Sequence, residues 1–189
     1  MKRRRFITAA AVAGVAGGIG YALHGSSAAK YEAAVTSIWR HGEPVSNEMP
    51  DVLRELVRYA TLAPSSHNTQ CWTFGLGERS ISILPDYARR CPVVDPDDHH
   101  LFVSLGCAVE NLAQAAPAMG LRCVPAFDTA ADDALPCILE PAAHDRTALF
   151  QAIPHRQSTR REFDARPLSN AELRLLESTG SGKECRCSC

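Results

Sequence analysis

The stretch from Met49 to Leu76, MPDVLRELVRYATLAPSSHNTQCWTFGL, decides the fold because it runs from a helix through a polar loop into a strand. Apolar residues recur in its first half at intervals of one helical turn: Met49, Val52, Leu53, Leu56, Val57 and Ala60. This spacing places them on one face of an amphipathic helix. We expect Ser46 or Asn47 to cap that helix at its start, and Pro64 to help end it.

The residues after this helix predict antiparallel strands. Two β-rich runs, 71–76 and 80–84, are separated by Gly77-Glu78, which is typical of a hairpin. Two further strand candidates, 122–127 and 135–139, are joined by an Asp-rich linker. Helices mixed with a few antiparallel strands predict an α+β fold class.

A second long helix is predicted to open at the run DPDD, residues 95–98, because Asp is a good cap and Pro suits the first helical position. Its apolar residues step by three and four: Leu101, Leu105, Val109, Leu112 and Ala116. Because it is apolar over much of its circumference, we expect a central buried helix ending near 117–120. Shorter helices are predicted at 30–39 and 147–153, and from the capping box at Ser169–Glu172 through Leu176.

Composition separates the first residues from the rest of the chain. The 189 residues are 46% hydrophobic and 22% charged, which are globular values that exclude wholesale disorder and a collagen-like fibre. The net charge of −1 gives no bulk electrostatic reason to expect nucleic-acid binding. Residues 1–29 hold four basic residues and no acid, so the remainder has 16 basic against 21 acidic residues and a net charge of −5.

Residues 1–29 predict an export signal. A basic run at 2–5 precedes an uncharged stretch at 7–23, and Ser27-Ala28-Ala29 supplies small residues for cleavage before Lys30. The run RRRFI at 3–7 resembles a twin-arginine signal, so we expect export by the twin-arginine machinery to the periplasm or cell envelope. The alternative is an uncleaved membrane anchor, although 17 helical residues span about 26 Å, less than a hydrocarbon core of about 30 Å.

The cysteines fall into two groups. Five stand singly at spacings of 14 to 20 residues: Cys71, Cys91, Cys107, Cys123 and Cys137. Without a C-x₂-C pair, they are expected to be buried or half-buried thiols that act as small hydrophobes, and no metal site is predicted. Three more crowd into the run CRCSC at 185–189. We expect this anomalous tail to mark a frameshifted or truncated reading frame, the alternative being a thiolate metal site with unsuitable spacing.

Two segments carry the chemistry. The first, APSSHNTQCW at 63–72, places hydrogen-bonding side chains in succession between a helix and a strand, which suits a planar ligand rimmed with carbonyls and ring nitrogens. The second, HRQSTRREF at 155–163, sets Arg156 and Arg160 on either side of two hydroxyl residues. Guanidinium groups and hydroxyls suit a phosphate monoester.

These two segments, in this order, resemble the FMN-dependent nitroreductase superfamily. The first is similar to its Pro-Ser-Ser-x-Asn-x-Gln-Pro-Trp loop, with Cys71 in place of the Pro, and the second to its Arg-x-Ser-x-Arg…Phe phosphate motif. The resemblance covers about residues 45–177. With the leader, it extends to the exported branch in which two nitroreductase-like halves are fused.

The resemblance implies a nitroreductase-like antiparallel-sheet core with packed helices. It divides the chain into a signal segment (1–29), a first half (30–153), the start of a second half (154–180) and the anomalous tail (181–189). The chain then lacks most of a second half, which agrees with a C-terminal truncation.

The resemblance also implies an FMN site between the two halves. The implied cofactor-binding residues are Ser65, Ser66, Asn68 and Gln70 beside the ring system, and Arg156, Ser158 and Arg160 at the phosphate. The flavin would take a hydride from NADH or NADPH and pass electrons to a small nitro, quinone or similar acceptor. No residue is assigned as a general acid or base.

Two other functions stay open at this stage. The same fold could bind or sequester FMN without efficient turnover, or the chain could be a non-functional truncated fragment with an exposed apolar interface. A second copy of the chain, in a homodimer, is one way to rebuild the site.

Several single residues have an ordinary interpretation beside a functional one. His67 either faces the flavin or is a plain loop histidine, and His99-His100 fits a surface helical turn better than a metal site. Arg89-Arg90 is expected in a solvated loop. Trp72 and Phe74 are expected in the core rather than against a flavin.

Overall fold

The computed structural model describes residues 29–33, 35–125, 133–158 and 162–180. It divides the chain into two compact units, residues 1–156 and residues 157–189. Residues 1–28 of the expected signal segment, and the cysteine-rich tail at 181–189, lie outside the described residues. Nothing in the structure therefore bears on those two predictions.

The first unit is built on a four-stranded antiparallel sheet. Its strands are β1 (Trp72–Leu76), β2 (Ser80–Pro85), β3 (Leu121–Pro125) and β4 (Leu135–Pro141). They lie in the order β1-β2-β4-β3, and every neighbouring pair is antiparallel. The β1–β2 hairpin and the α+β class predicted from the sequence are both confirmed.

The first unit also contains two long helices, which pack against the sheet, and a short one, which packs against the second long helix. They are α1 (Met49–Thr61), α2 (His99–Ala115) and the short α3 (Ala148–Ala152). Residues 29–33 and 35–38 are also helical, and single 3₁₀ turns occur at 66–68, 87–89, 116–119 and 153–155. The predicted helices at 49–60 and 147–153 therefore form, with ends shifted by a residue or two.

The core lies between the sheet and the two long helices. Alternate residues of β2 and β4 point into it, because side chains of a strand alternate between its two faces. These are Ile81, Ile83, Cys137 and Leu139, none more than 1% exposed. The predicted apolar stripe of α1 supplies Leu53 and Leu56 on the opposite side, and α2 supplies Leu101, Leu105 and Leu112.

The start of α1 differs from the sequence prediction. Its cap residue is Glu48, whose side chain makes no capping bond, and neither Ser46 nor Asn47 occupies the cap position. Ser46 lies too far outside the helix for that geometry. Its hydroxyl instead donates to the Asp51 carboxylate at 2.6 Å and accepts from the Glu48 N–H at 3.2 Å.

The start of α2 also differs, because residues 95–98 form a turn and the helix begins only at His99. Asp98 occupies the cap position with a left-handed backbone (φ 54°) and no capping bond from its side chain. Asp95, which is 5% exposed, caps the helix from outside, since its carboxylate accepts the N–H groups of His100 and Leu101 at 3.1 Å each. The sequence predicted an acidic cap directly before the helix. The structure shows instead that the Asp95 carboxylate reaches across the turn to the first N–H groups of α2.

The expectation of a central buried helix holds for only one face of α2. Leu105 and Leu112 are fully buried, but Phe102 and Val103 on another face are 38% and 51% exposed. Gly106 lies on that same exposed face, where a Cβ atom would meet nothing within 4 Å. The helix therefore packs with one face only within the described residues.

The second unit contains α4 (Asn170–Gly180), which begins at the predicted capping box. The Ser169 hydroxyl accepts the Glu172 N–H at 3.3 Å, and the Glu172 carboxylate accepts the Ser169 N–H at 2.7 Å. Arg166 contacts the same carboxylate at 3.0 Å. The hydrogen bond from Arg166, together with those from Ser169, lowers the pKa of Glu172 to about 2.

The five single cysteines are free thiols, as predicted. Cys71, Cys123 and Cys137 are buried, while Cys91 and Cys107 are half-buried. Across the described ranges there is no cluster of three or more metal-ligating side chains. Within those same ranges, every helix is too short or too polar to cross a membrane.

Candidate functional site

The polar loop at residues 63–70 lies between α1 and β1 and has a strained backbone. Three of its non-glycine residues adopt left-handed conformations: His67 (φ 50°), Asn68 (φ 57°) and Gln70 (φ 53°). A backbone of this kind costs of order 1–3 kcal/mol per residue and persists only where surrounding contacts impose it. Such strain clusters at ligand sites, which makes this loop the first candidate for a functional segment.

Hydrogen bonds within the loop hold this conformation. The Asn68 N–H donates to the Ser65 carbonyl oxygen at 2.9 Å, and the Gln70 N–H donates to the Ser65 hydroxyl oxygen at 3.1 Å. The Thr69 N–H donates to the Ser66 carbonyl oxygen at 3.1 Å. Ser65 therefore organises the loop through both its backbone and its side chain.

A serine of α2 fixes the loop to the rest of the unit. The Ser66 N–H donates to the Ser104 hydroxyl oxygen at 3.1 Å, and that hydroxyl donates in turn to the His100 carbonyl oxygen at 2.6 Å. Ser104 is 3% exposed. Ser104 was not among the predicted site residues, although a serine between Leu101 and Leu105 on an apolar face is the kind of signal that could have indicated it.

The carbonyl groups at the end of α1 are satisfied by side chains. The last carbonyls of a helix lack intrahelical partners and need donors from elsewhere. Gln70 Nε2 lies 3.4 Å from the Thr61 oxygen, Arg156 Nη2 donates to the Leu62 oxygen at 3.2 Å, and Asn111 Nδ2 donates to the Tyr59 oxygen at 3.1 Å. The donors come from three separate segments of the chain.

One residue from each of the two sequence motifs therefore meets at the end of α1. Gln70, from the first motif, and Arg156, from the second, contact the successive carbonyls of Thr61 and Leu62. The Arg156 guanidinium also lies 5.3 Å from the ring centroid of Trp39. The sequence predicted both residues at a flavin, and the structure shows what they contact within the first unit.

A cavity of about 160 Å³ opens beside the loop. Its walls combine hydroxyl and apolar side chains, and the lining residues are Pro64, Ser65, Ser66, His100, Val103, Ser104 and Cys107. Burial raises the pKa of the Cys107 thiol, and the charge of Arg156 opposes that rise. Sites that enclose a ligand usually measure about 300–1,000 Å³, so this cavity is smaller than a typical ligand site.

The other residues predicted to bind or face the cofactor are exposed or lie outside the described residues. Asn68 and His67 are exposed in the loop. Ser158 is exposed in the second unit, and Arg160 lies outside the described residues. The structure therefore brings together Ser65, Ser66, Asn68 and Gln70 in one loop, with Arg156 at the end of the helix that precedes it.

The aromatic residues and the first cysteine after the loop belong to the core. Trp72 is 6% exposed, Cys71 is 1% exposed, and Phe74 packs against the same cluster while partly buried. The expectation that Trp72 and Phe74 pack in the core is confirmed. Cys71, which replaces the Pro of the family motif, is a buried thiol.

The arginine pair at 89–90 is solvated, as predicted, and is also ion-paired. Arg89 lies 3.2 Å from the Asp86 carboxylate and Arg90 lies 3.4 Å from that of Asp98. Arg89 also approaches the loop, with its Nη1 at 3.4 Å from the Thr69 carbonyl oxygen. No local sequence pattern indicated this last contact.

No model of a known protein family matches the chain. The chain is similar to two proteins of Mycobacterium tuberculosis, each named "Putative NAD(P)H nitroreductase", from strains CDC 1551 / Oshkosh and ATCC 25618 / H37Rv. Each is 30% identical to it over 141 residues. The matched region is 70% of this chain, which spans 40% of the length of each relative.

Proposed function

We propose that the chain belongs to the FMN-dependent nitroreductase superfamily and serves an oxidoreductase that passes electrons from NADH or NADPH to a nitro, quinone or similar acceptor. The observation that carries this proposal is the serine-rich loop, held in a strained conformation beside an open cavity. The similarity to the two mycobacterial proteins supports it independently.

The residues of the loop fit one wall of a flavin site. A flat ring system needs an apolar surface against its face and hydrogen-bonding groups at its rim, and the cavity combines Val103 and Cys107 with Ser65 and Ser66. The side chains of Ser65 and Gln70 are engaged in hydrogen bonds that hold the loop. We therefore assign direct contact with the flavin ring to Ser66 and Asn68. Asn68 has an exposed amide for that purpose.

The phosphate part of the proposal comes from the sequence motif at residues 156–160. Guanidinium and hydroxyl groups at that spacing suit a phosphate monoester. The resemblance assigns this role to Arg156, Ser158 and Arg160, and support for it comes from the sequence alone. The opposite wall of the site would come from another nitroreductase-like half or from a second copy of this chain.

The chemistry would belong to the flavin, which accepts a hydride from the nicotinamide and passes electrons to the acceptor. The chain's own contribution would be to bind the ring at a fixed place and to exclude water from one face of it. The ordered loop would bind the ring at a fixed place, and the apolar side chains of the cavity would exclude water from its face.

The test begins with the purified full-length chain titrated with FMN. We expect flavin fluorescence to change on binding, and bound flavin to be bleached by NADH or NADPH in the absence of oxygen. Asn68→Gly removes the amide while keeping a residue that accepts a positive φ, so a weaker affinity would report the amide rather than backbone strain. Asn47→Gly, in an exposed bend before α1, is the matched control and should bind like the parent.

Two outcomes would contradict the proposal. A chain that is folded by circular dichroism and shows no FMN binding at micromolar concentrations does not form a flavin site by itself or in a homodimer. A chain that binds FMN but keeps it oxidised with both nicotinamides is a flavin-binding protein without turnover. Sedimentation velocity with and without FMN shows whether a second copy completes the site.

We also propose export by the twin-arginine route, which rests on the sequence of residues 1–29. Replacing Arg3 and Arg4 by Lys keeps the charge but removes the arginine pair, and we expect it to block export of a reporter fused after residue 29. Replacing Lys2 by Arg is the control. Unchanged export of the Arg3→Lys, Arg4→Lys fusion would contradict the proposal.

A further inference from the structure

We propose that Arg156 is a positioning residue, which sets the loop at 63–70 in the conformation that contacts a flavin. This inference rests on the proposed function and assigns one residue of its site a different role. It is carried by contacts that Arg156 makes inside the first unit.

The first contact is with the last residue before the loop. Arg156 Nη2 donates to the carbonyl oxygen of Leu62 at 3.2 Å, and Leu62 is the residue that caps the end of α1. Leu62 is 2% exposed. A buried carbonyl that loses its donor pays its desolvation cost, so this bond opposes any movement of the guanidinium away from α1.

The second group of contacts fixes the guanidinium from other directions. It lies over the Trp39 ring at 5.3 Å, a distance at which a cation is attracted to an aromatic face. Its charge acts on the Cys107 thiol of α2, which lines the cavity. A cation at the carboxyl end of a helix is also stabilised by the helix dipole. Arg156 thus links the end of α1 to Trp39 in the segment before α1.

Arg156 acts on the loop because its contact lies at the point where the chain leaves α1. Gln70 at the far end of the loop contacts the Thr61 carbonyl, and Arg156 contacts the next carbonyl, that of Leu62. The two donors together determine the direction in which the chain leaves α1. Because Ser66 and Asn68 lie between these fixed points, a change at Leu62 moves the residues proposed to touch the ring.

The experiment compares FMN with riboflavin, which has the same ring system and lacks the phosphate. A positioning role predicts that Arg156→Met raises the Kd of both flavins by a similar factor, on the order of tenfold for a lost bond from a charged donor. The ratio of the two Kd values then stays at that of the parent. Arg160→Met should change that ratio, because Arg160 is proposed to bind the phosphate.

The opposite result overturns the inference. If Arg156→Met weakens FMN binding and leaves riboflavin binding unchanged, Arg156 holds the phosphate. If it changes neither affinity, Arg156 does not position the loop. Arg54→Met is the matched control, because Arg54 is a solvated arginine on α1 with its side chain 72% exposed, and both affinities should stay at the parent values.

A second measurement keeps the inference testable if the parent chain binds no flavin, in which case the proposed function fails by itself. Amide hydrogen exchange in residues 63–70 should be about tenfold faster in Arg156→Met than in the parent and in Arg54→Met, while β1 and β2 stay protected. Unchanged exchange in the loop overturns the inference. Should Arg156→Met fail to fold, Arg156→Lys keeps a donor and should give partial rescue, with a smaller increase in loop exchange.

Discussion

The Ser66 N–H donates a hydrogen bond to the Ser104 hydroxyl oxygen at 3.1 Å, and this contact joins the loop at 63–70 to α2. Ser104 is 3% exposed, and its hydroxyl is used twice because it also donates to the His100 carbonyl oxygen at 2.6 Å. The loop is therefore anchored at its middle by α2 and at both ends by donors to the carbonyls of α1.

The first prediction concerns Ser104→Ala. Removing the hydroxyl leaves the Ser66 N–H without its acceptor, so we expect a loss of about 1–3 kcal/mol in the free energy of unfolding. Urea denaturation measures it. Ser82→Ala on β2 removes a half-buried hydroxyl away from the loop and should cost less. Equal losses in the two variants would mean that Ser104 has no special role in holding the loop.

The second prediction concerns Asp95 at the start of α2. Burial acts to raise the pKa of its carboxyl, but the N–H groups of His100 and Leu101 outweigh burial and hold that pKa below its ordinary value of 3.8. Because the folded pKa is depressed, the stabilisation is present above pH 3.8 and is lost as the pH falls through the lower folded value.

Asp95→Asn should therefore lower the Tm at pH 7 and reduce the decline of stability in acid. Thermal unfolding followed by circular dichroism between pH 2 and 7 measures both effects. Asp97→Asn, at an exposed position in the same turn, is the control and should behave like the parent. If both variants follow the parent at every pH, the Asp95 cap contributes nothing measurable.

The third prediction concerns Asn111, whose side-chain amide donates to the Tyr59 carbonyl oxygen near the end of α1. Asn111→Asp replaces that donor by a carboxylate beside a carbonyl and at the negative end of a helix dipole. We expect a destabilisation of about 1–3 kcal/mol at pH 7, measured by chemical denaturation. Glu110→Gln, at the exposed neighbouring position, should change stability by less than about 0.5 kcal/mol. If Asn111→Asp leaves the free energy of unfolding unchanged, α1 ends equally well without this donor.

The fourth prediction concerns the order in which thiols react among the five cysteines of the described residues. The hydrogen bond that the Cys123 thiol donates to Cys137, together with burial, raises the pKa of Cys123, and burial raises that of Cys107. Cys71 and Cys137 are at most 1% exposed. Half-buried Cys91 should therefore be alkylated first by iodoacetamide in the native protein.

Peptide mass spectrometry measures the extent of alkylation at each cysteine over time. Unfolding the protein in guanidinium should bring the five rates together, which is the control for differences in intrinsic reactivity. Alkylation of Cys71 or Cys137 as fast as Cys91 in the native protein would contradict the burial seen here.

Local patterns were sufficient for much of the fold. The apolar stripe from Met49 to Ala60 predicted α1, and the Gly-bearing turn between two β-rich runs predicted the β1–β2 hairpin. The capping box at Ser169 predicted the start of α4. Each of these signals depends on residues within four or five positions of one another, where hydrogen bonding and side-chain periodicity act directly.

Local patterns failed where a contact competes with propensity. The acidic run at 95–98 predicted a helix start, but Asp95 bonds past the turn to His100 and Leu101, which moves the first residue of α2 to His99. The apolar composition of α2 predicted a central buried helix, yet Phe102 is left exposed because neighbouring elements pack on the other face. Periodicity predicts that a helix forms, but it does not predict how many neighbouring elements pack against that helix.

The sequence by itself determined the α+β class, the main helices and hairpin, and the two polar segments that resemble a flavin site, because these depend on residue types at short spacing. The tertiary structure alone decided the contacts of those segments. Ser104 contacts the loop from 38 residues away, and Arg156 contacts the residue just before it from 94 residues away. Side chains so distant in the chain reach the loop or the end of α1 only after the sheet and helices have packed, so no local pattern could indicate them.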